Sequence, residues 1–142
     1  MALTKSFVAE ALRFYPPVGV TARFVSEDIQ TPFGELTKGT FLGIAPWAIH
    51  HHRLNWENPD IFDPLRFRSG EMIKSSRFSY LPFLDGPHRC PGSALAMRAL
   101  VLALADLLVT FRWTLPDGGK FSLHLLNALY PPDGVNLCVE KL

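Results

Sequence analysis

Apolar residues near the start of the chain recur at helical spacing. Four of them follow the period of a helix: Leu3, Phe7, Ala11 and Phe14. This periodicity predicts an amphipathic helix over residues 3–15. The pair Pro16-Pro17 ends it, because proline disfavours a helical conformation in the residue before it.

A second and more apolar helix is predicted over residues 93–109. Its residues are apolar nearly all round, which is typical of a helix buried on several sides. The longest uninterrupted apolar run nearby, 99–105, is closed by Arg98 and Asp106 and is too short to span a bilayer. The segment is therefore interpreted as a buried helix.

Extended segments are marked by weaker alternation of apolar and polar residues. Residues 18–24 and 41–45 predict strands of a small antiparallel sheet. Later, 107–115 leaves the apolar helix for a strand, and 121–130 together with 135–139 predict a terminal hairpin. The predicted fold class is mainly α with small β-sheet elements.

Length and composition indicate one globular domain over residues 1–142. The chain is 48% hydrophobic and 19% charged, and its formal net charge of +1 without a long basic run argues against a nucleic-acid binder. Cys90 and Cys138 form neither a zinc-type pair nor a disulfide framework, which favours a reducing compartment. Residues 1–5 lack the apolar core of a signal peptide.

Three consecutive histidines, His50-His51-His52, lie in a short predicted helical turn over 47–52 and raise the question of a metal site. Consecutive side chains point in different directions on a helix or a strand, so they do not easily converge on one ion. No second ligand pair follows at helical spacing. A zinc site is therefore disfavoured.

The segment from Phe83 to Gly92 is a loop with a cysteine near its end. Gly86 and Gly92 bracket Cys90, and glycine permits backbone conformations that a Cβ would block. Cys90 stands just before the predicted helix at 93, where unpaired N–H groups and the helix dipole favour a thiolate. Such a loop can present a thiolate sulfur to a flat ligand. The alternative is a free cysteine packed in a turn.

Three motifs in the chain together resemble those of the cytochrome P450 family of haem-thiolate monooxygenases. Phe83-x-x-Gly86-x-His88-x-Cys90-x-Gly92 resembles the family's haem-binding loop, and Ala96 matches an alanine early in the following helix. Glu10-x-x-Arg13 resembles the signature of its K helix. Pro59-x-x-Phe62-x-Pro64-x-Arg66-Phe67 resembles its meander. The three motifs occur in the family's order.

The resemblance implies a role for each motif residue. Cys90, as a thiolate, would be the proximal iron ligand of haem b. His88 and Arg23 would hold the haem propionates through charge-assisted hydrogen bonds. The residues that shape the loop would be Phe83, Gly86 and Gly92. A buried structural triad would consist of Glu10, Arg13 and Arg66, although on spacing alone Glu10 and Arg13 would be an ordinary surface ion pair.

Three positions depart from the family pattern. His88 stands where arginine is usual; it can still donate a hydrogen bond, but its charge depends on pH. Leu84-Asp85 replaces the small residues that often follow the phenylalanine, and a carboxylate near a thiolate is a like-charge cost. Ala99 stands where relatives often carry an acidic residue.

The implied reaction inserts one oxygen atom into an apolar organic substrate. The electrons would come from an NADPH-dependent cytochrome P450 reductase or a similar donor. Residues 18–21 and, in the terminal hairpin, Leu126, Asn127 and Ala128 would contact the substrate. Five basic residues flank the Cys loop in sequence and would steer an acidic reductase: Arg68, Lys74, Arg77, Arg89 and Arg98.

The resemblance runs from the K helix to the C-terminus, and a full-length family member is several times longer. The oxygen-activating helix, most of the substrate pocket and an N-terminal anchor to the endoplasmic reticulum membrane would lie upstream. The fragment alone is expected in the cytoplasm and without turnover. Two alternatives remain: a haem-free remnant with a structural or interaction role, and a haem-thiolate isomerase that needs no external electrons.

Overall fold

Helix α1 (Ala2–Phe14) is the first element of the fold. The structure is a computed structural model that describes residues 2–68, 77–116, 121–125 and 128–142. The helix follows the predicted bounds to within one residue. Its buried side, however, is not the one that the apolar spacing indicated, since Leu3 and Phe7 are exposed. Its buried residues instead include two charged ones: Ser6, Val8, Ala9, Glu10, Leu12 and Arg13.

Two small antiparallel ladders follow α1. Strand β1 (Thr21–Phe24) pairs with β4 (Phe41–Ile44), with Arg23 opposite Leu42. Strands β2 (Ile29–Thr31) and β3 (Gly34–Leu36) form a hairpin between them. The small antiparallel sheet predicted here is therefore present as two separate ladders. The first one places Arg23 on a strand.

A short helix and an irregular loop connect these ladders to the rest of the fold. Helix α2 (Pro46–His50) begins with its proline, where the missing N–H has no intrahelical partner to lose. The meander then ends in a 3-10 helix, Pro64–Phe67, whose first turn is capped by the Asp63 carboxylate accepting from the Leu65 N–H at 2.9 Å. A small core forms where the meander meets α1: Ala9, Trp56, Phe67 and, partly buried, Tyr80.

The C-terminal part is built from one long helix and two further ladders. Helix α3 (Ser93–Thr110) leads directly into β5 (Phe111–Thr114), which pairs with β8 (Cys138–Lys141). Strands β6 (His124–Leu125) and β7 (Leu129–Tyr130) pair with each other.

The prediction that 121–130 and 135–139 form one hairpin is therefore wrong. The stretch 121–130 folds back on itself, while β8 returns to β5, and this pairing continues to the N–H of Leu142, which donates to Thr110 O at 2.9 Å. Alternation in a sequence identifies strands, but it does not identify their partners.

The prediction that α3 is buried on several sides is also wrong for the residues that the structure describes. Ser93 is the one residue of α3 that is buried, while Leu95 and Val109 are 74% and 75% exposed. With 18 residues and a mean hydropathy of 1.8, α3 is also long and apolar enough to cross a bilayer. Core helices of soluble proteins meet the same criteria, so this finding does not by itself identify a membrane span.

Candidate functional site

A buried ion pair lies in the C-terminal half of α1. Glu10 and Arg13 are one helical turn apart, and both side chains are fully buried. Arg13 Nε donates to Glu10 Oε2 at 2.8 Å, and Arg13 Nη2 donates to Glu10 Oε1 at 2.8 Å. This fork-to-carboxylate geometry combines charge with two parallel hydrogen bonds. The surface pair that the spacing alone suggested does not describe this arrangement.

Two groups from the meander close the network on Glu10. Arg66 donates from Nε to Glu10 Oε1 at 3.2 Å, and the backbone N–H of Asp63 donates to the same oxygen at 2.8 Å. The other Arg66 donors reach three backbone carbonyls: those of Glu57, Asn58 and Ile61. The structure thus brings Glu10, Arg13 and Arg66 together, and it adds an amide that sequence reasoning did not include.

The remaining donors of Arg13 join α1 to two other elements. Its Nη1 donates to the carbonyl of His50 at 2.8 Å and to that of Pro59 at 2.9 Å. The guanidinium also lies 5.3 Å from the ring centroids of Phe14 and Trp56, within the range of a cation–π contact. The Arg13 N–H groups that do not bond to Glu10 therefore donate to other groups of the protein.

His50 is the buried member of the three consecutive histidines. Its Nε2 accepts from the Leu81 N–H at 2.8 Å, so the ring proton is on Nδ1, which donates to Arg13 O at 3.2 Å. Burial lowers the pKa of His50 from 6.5 to about 4, and the ring is neutral near pH 7. His51 is half-buried and His52 is exposed, so the three side chains occupy different environments.

The segment just before the Cys loop is held by two further hydrogen bonds. The Tyr80 hydroxyl donates to Ala9 O at 2.9 Å, and Trp56 Nε1 donates to Ser79 O at 3.2 Å. Burial, assisted by the Glu10 charge, raises the pKa of Tyr80 well above its ordinary value. Tyr80 is therefore a neutral donor at any physiological pH.

The Cys loop is closed by its own backbone. The Cys90 N–H donates to Phe83 O at 2.9 Å, and the Arg89 N–H donates to Gly86 O at 3.0 Å. Leu84 and Gly86 have φ values of 61° and 70°, a region that favours glycine and is uncommon for leucine. The positive φ of Gly86 is expected for glycine, whereas Leu84 adopts a positive φ although it carries a Cβ.

At the end of this loop Cys90 is exposed, and Gly92 is the N-cap of α3. A Cβ built at Gly92 would lie 3.8 Å from Cys90 Sγ, which is an ordinary contact. The sulfur alone therefore does not demand glycine at this position. The predicted role of Gly92 in shaping the Cys loop stays a prediction.

One cavity of about 470 Å³ collects three of the residues predicted to bind the cofactor: Arg23, Gly86 and His88. Its apolar wall consists of Ile44, Phe78, Leu81 and Leu84, and Arg77 and Asp85 complete its lining. Arg23 is half-buried, and its Nη1 donates to Ala22 O at 2.7 Å. Cys90 lies outside this lining, and Phe83 lines a neighbouring cavity of about 550 Å³.

Asp85 does not stand as an isolated negative charge beside the cysteine. Arg77 donates to Asp85 Oδ2 from Nε at 3.0 Å and from Nη2 at 2.6 Å. These bonds, followed by the Gly86 N–H, lower the pKa of Asp85. Sequence reasoning predicted a like-charge cost at Asp85 but did not connect it with Arg77. It counted Arg77 among the basic residues that would steer a reductase, whereas the structure pairs it with Asp85.

Other predicted contact residues are distributed differently. Leu126, Asn127 and Lys74 lie outside the described residues. Ala128 is exposed, and the neighbouring Leu129 N–H donates to Pro17 O at 2.7 Å. The ladder of β6 and β7 is thereby held against the segment that precedes β1, where the substrate contacts of residues 18–21 were predicted.

The comparison with known proteins agrees with these motifs. The sequence matches the family model described as “Cytochrome P450” over residues 1–139. This chain belongs to the cytochrome P450 family. It is 41% identical over 144 residues to rabbit (Oryctolagus cuniculus) “Cytochrome P450 4A6”, covering 100% of the chain and 28% of that relative. It is 39% identical over 111 residues to mouse (Mus musculus) “Leukotriene-B4 omega-hydroxylase 3”, covering 78% of the chain and 21% of that relative.

The fold of this cytochrome P450 chain is similar to that of solved haem domains. A crystal structure of a cytochrome P450DA mutant heme domain superposes with a TM-score of 0.87 at 28% identity, over 98% of this chain and 30% of that domain. The predicted fold, a cytochrome P450 portion with helices and small sheets, is thereby confirmed. The chain spans less than a third of the length of the relatives that it matches.

Proposed function

We propose that residues 1–142 are the haem-ligating part of a single cytochrome P450 domain, in which the Cys90 thiolate is the proximal ligand of the iron. The observation that carries this proposal is the cavity beside the Cys loop. Two cationic or proton-donating residues, Arg23 and His88, line it together with apolar residues and the Arg77–Asp85 ion pair. This is the chemistry that an apolar macrocycle with two carboxylates requires.

The residues present fit a haem in kind, and three of them line one cavity beside the loop that carries Cys90. His88 comes from the loop and Arg23 from β1, so two separate elements offer donors to acidic groups. The backbone bond from Cys90 to Phe83 O fixes the loop that carries the sulfur, and Gly86 provides the left-handed turn within it. When bound, a haem with a thiolate ligand supplies oxygen activation, because electron donation from sulfur favours cleavage of the O–O bond.

The reaction that we infer for the whole protein is insertion of one oxygen atom from O2 into an apolar organic substrate. The family membership and the hydroxylase named among the relatives support it. Electrons would come from an NADPH-dependent reductase or a similar donor. An anchor outside these residues would hold the whole protein at the endoplasmic reticulum membrane, as the family resemblance implies for a eukaryotic protein.

A chimera tests the ligand assignment. Residues 1–142 replace the matching segment of the rabbit relative, and the purified protein is reduced and exposed to carbon monoxide. We expect the strongly red-shifted Soret band of thiolate ligation. Cys90→Ser abolishes this band, whereas Cys138→Ser, which changes an exposed cysteine on β8, leaves it intact. An unchanged band in the Cys90 variant contradicts the assignment.

The same chimera separates the alternatives. A haem-free remnant gives a folded chimera without bound haem. A haem-thiolate isomerase gives the thiolate band and converts substrate without an electron donor, whereas a monooxygenase consumes NADPH and O2 through the reductase. Product formation that requires neither contradicts the proposed reaction while leaving Cys90 as the ligand.

A further inference from the structure

The segment Ser79–Leu81, which leads into the Cys loop, is tied to three separate elements. Three hydrogen bonds hold it: one from Trp56, in the loop just before the meander, one to Ala9 of α1 and one to His50 of α2. We propose that His50 is a positioning residue that fixes this segment to the buried ion network and thereby holds Cys90 for ligation. The proposal rests on the proposed function, because ligation by Cys90 is one of its readouts.

The hydrogen bonds of His50 fix its side chain in one orientation. Both ring nitrogens are used, and its backbone carbonyl accepts from Arg13 Nη1 at 2.8 Å. His50 is therefore bonded twice to Arg13, once through its ring and once through its backbone. Its ring has no exposed surface, so a water molecule does not readily replace either partner.

A short series of backbone bonds continues from His50 to the cysteine. His50 Nε2 accepts from the Leu81 N–H, and Leu81 O accepts from the Leu84 N–H at 3.2 Å. Phe83, the residue covalently before Leu84, accepts from the Cys90 N–H through its carbonyl at 2.9 Å. A displacement of Leu81 therefore moves the same turn whose far side carries Cys90.

The bond from His50 is the one that reaches the backbone amide nearest to Phe83. The His50 ring is itself fully buried and lies 5.4 Å from the Tyr80 ring, so truncating it would create a cavity as well as remove a hydrogen bond, as it would at Tyr80 or Trp56. Polar variants that keep most of the side-chain volume and one of its two hydrogen bonds are therefore the substitutions that test this bond.

Two amide substitutions separate the two nitrogens of His50. In His50→Gln the side-chain oxygen reaches about as far as Nε2, so the acceptor for the Leu81 N–H is kept. In His50→Asn the shorter side chain replaces Nδ1 and keeps the donor to Arg13 O, but it leaves the Leu81 N–H without its acceptor. His52→Gln, at an exposed histidine two residues further on, is the control.

The experiment uses the chimera with and without haem. We expect His50→Asn to raise the share of bound haem that lacks the thiolate-type carbon monoxide band by roughly five- to thirtyfold, the effect of an unpaired buried donor. In the haem-free protein, hydrogen–deuterium exchange of the peptide covering 79–84 should rise by a similar factor. His50→Gln should restore both quantities towards the unsubstituted chimera, and His52→Gln should change neither.

Equal behaviour of the Asn and Gln variants overturns the proposal, because the acceptor at Leu81 is then irrelevant. Unfolding of either variant also overturns it, since His50 would then serve the whole fold and not the loop. If the unsubstituted chimera binds no haem, the proposed function fails. The exchange measurement still decides whether His50 holds the segment.

Discussion

The two long helices of this chain reverse the usual relation between polarity and burial. Helix α1 buries the charged side chains of Glu10 and Arg13 completely. Helix α3 is far more apolar, yet it exposes Leu95 and Val109 over about three quarters of their surface, at 74% and 75%. The difference shows which parts of this fold are complete within the chain and which depend on neighbours.

The charges of α1 are buried because their partners are all present. The Glu10 carboxylate receives bonds from Arg13, from Arg66 and from the Asp63 amide, and the outward donors of Arg13 reach backbone carbonyls. Throughout the part of the chain that the structure describes, no buried side-chain nitrogen or oxygen lacks a hydrogen-bond partner. A hydrogen-bonding group needs a partner in a definite direction, so the residues described here are enough to show that the buried polar groups of α1 are satisfied.

The exposed apolar surface of α3 does not show in the same way what it packs against. The superposed haem domain is more than three times longer than this chain, and we infer that regions equivalent to its additional parts cover α3 in the whole domain. Burial of leucine and valine needs area and shape but no particular donor or acceptor. The comparison therefore predicts strong effects of polar substitutions at α1 in any context, and context-dependent effects at α3.

The largest expected effect is that of Arg13→Ala in the chimera. It leaves Glu10 as a buried carboxylate without its main partner, which costs about 3–5 kcal/mol of the free energy of unfolding. Urea denaturation measures this change. The matched control is Arg112→Ala, since Arg112 Nη1 lies 3.6 Å from Glu140 Oε2 with both side chains more than 60% exposed. That variant should lose less than about 1 kcal/mol. Equal losses would contradict the contrast between the two pairs.

The second prediction concerns α3 and depends on context. Leu95→Ala should cost about 2–5 kcal/mol in the chimera, where other parts of the domain cover the helix. Within residues 1–142 themselves the substitution removes little contact, because Leu95 is 74% exposed there. Thermal melts of the chimera measure the loss. A loss below about 0.5 kcal/mol in the chimera would mean that no other part of the domain covers α3 at this position.

The same exposed surface predicts the behaviour of the isolated chain. Contiguous apolar residues on α3 favour aggregation, so the chain should be poorly soluble, bind haem weakly and show no turnover with any reductase. Expression of residues 1–142, addition of haemin and a carbon monoxide spectrum test this. A cooperative melt with a stable thiolate band would show that the chain is self-sufficient.

The fourth prediction is a pH dependence due to His50. Its pKa is lowered from 6.5 to about 4 in the folded protein, so the unfolded state binds more protons between these values. Stability should be greatest above pH 6.5 and fall by about 3 kcal/mol as the pH decreases towards 4. The difference between the chimera and its His50→Gln variant, measured by urea denaturation across this range, isolates the histidine. An equal pH slope in both proteins would exclude this origin.

The sequence predicted the elements whose signals are local. The double proline after α1 and the apolar character of α3 on nearly every side gave both helices to within one residue at each end. The partners of the strands were not predictable in this way. The strand that pairs with β5 lies more than twenty residues further along the chain, and no local pattern specifies this distance.

In the candidate site, too, some residues were predictable from the sequence and others were not. Family motifs led to Glu10, Arg13 and Arg66, which the structure places together although Glu10 and Arg66 are 56 residues apart. The motifs gave no indication that one of three identical histidines is buried, because the difference arises from contacts with residues 31 and 37 positions away. The bond between Tyr80 and Ala9 spans 71 residues and was likewise not predictable.

The smallest expected effect is that of Arg77→Gln. Arg77 and Asp85 form an ion pair with the same chemistry as Arg13 and Glu10, but Arg77 is 71% exposed, and solvent screens such a pair. The variant should leave the melting temperature of the chimera unchanged within error. It should raise the pKa of Asp85 towards its ordinary value, because the hydrogen bond from Arg77 is the main cause of the lowering. A carbon-13 NMR titration of labelled aspartate measures this pKa.

The control for this titration is Arg89→Gln. Arg89 acts on Asp85 only through its charge and is the smallest of the causes that lower its pKa, so its loss should move the titration less than that of Arg77. Because the pKa of Asp85 is lowered by folding, the pair stabilises the protein above the ordinary pKa of aspartate, and this contribution disappears as the pH falls through the folded value. A fall in melting temperature comparable to that of Arg13→Ala would contradict the prediction. It would mean that other parts of the domain bury this pair as completely as the chain buries Glu10 and Arg13.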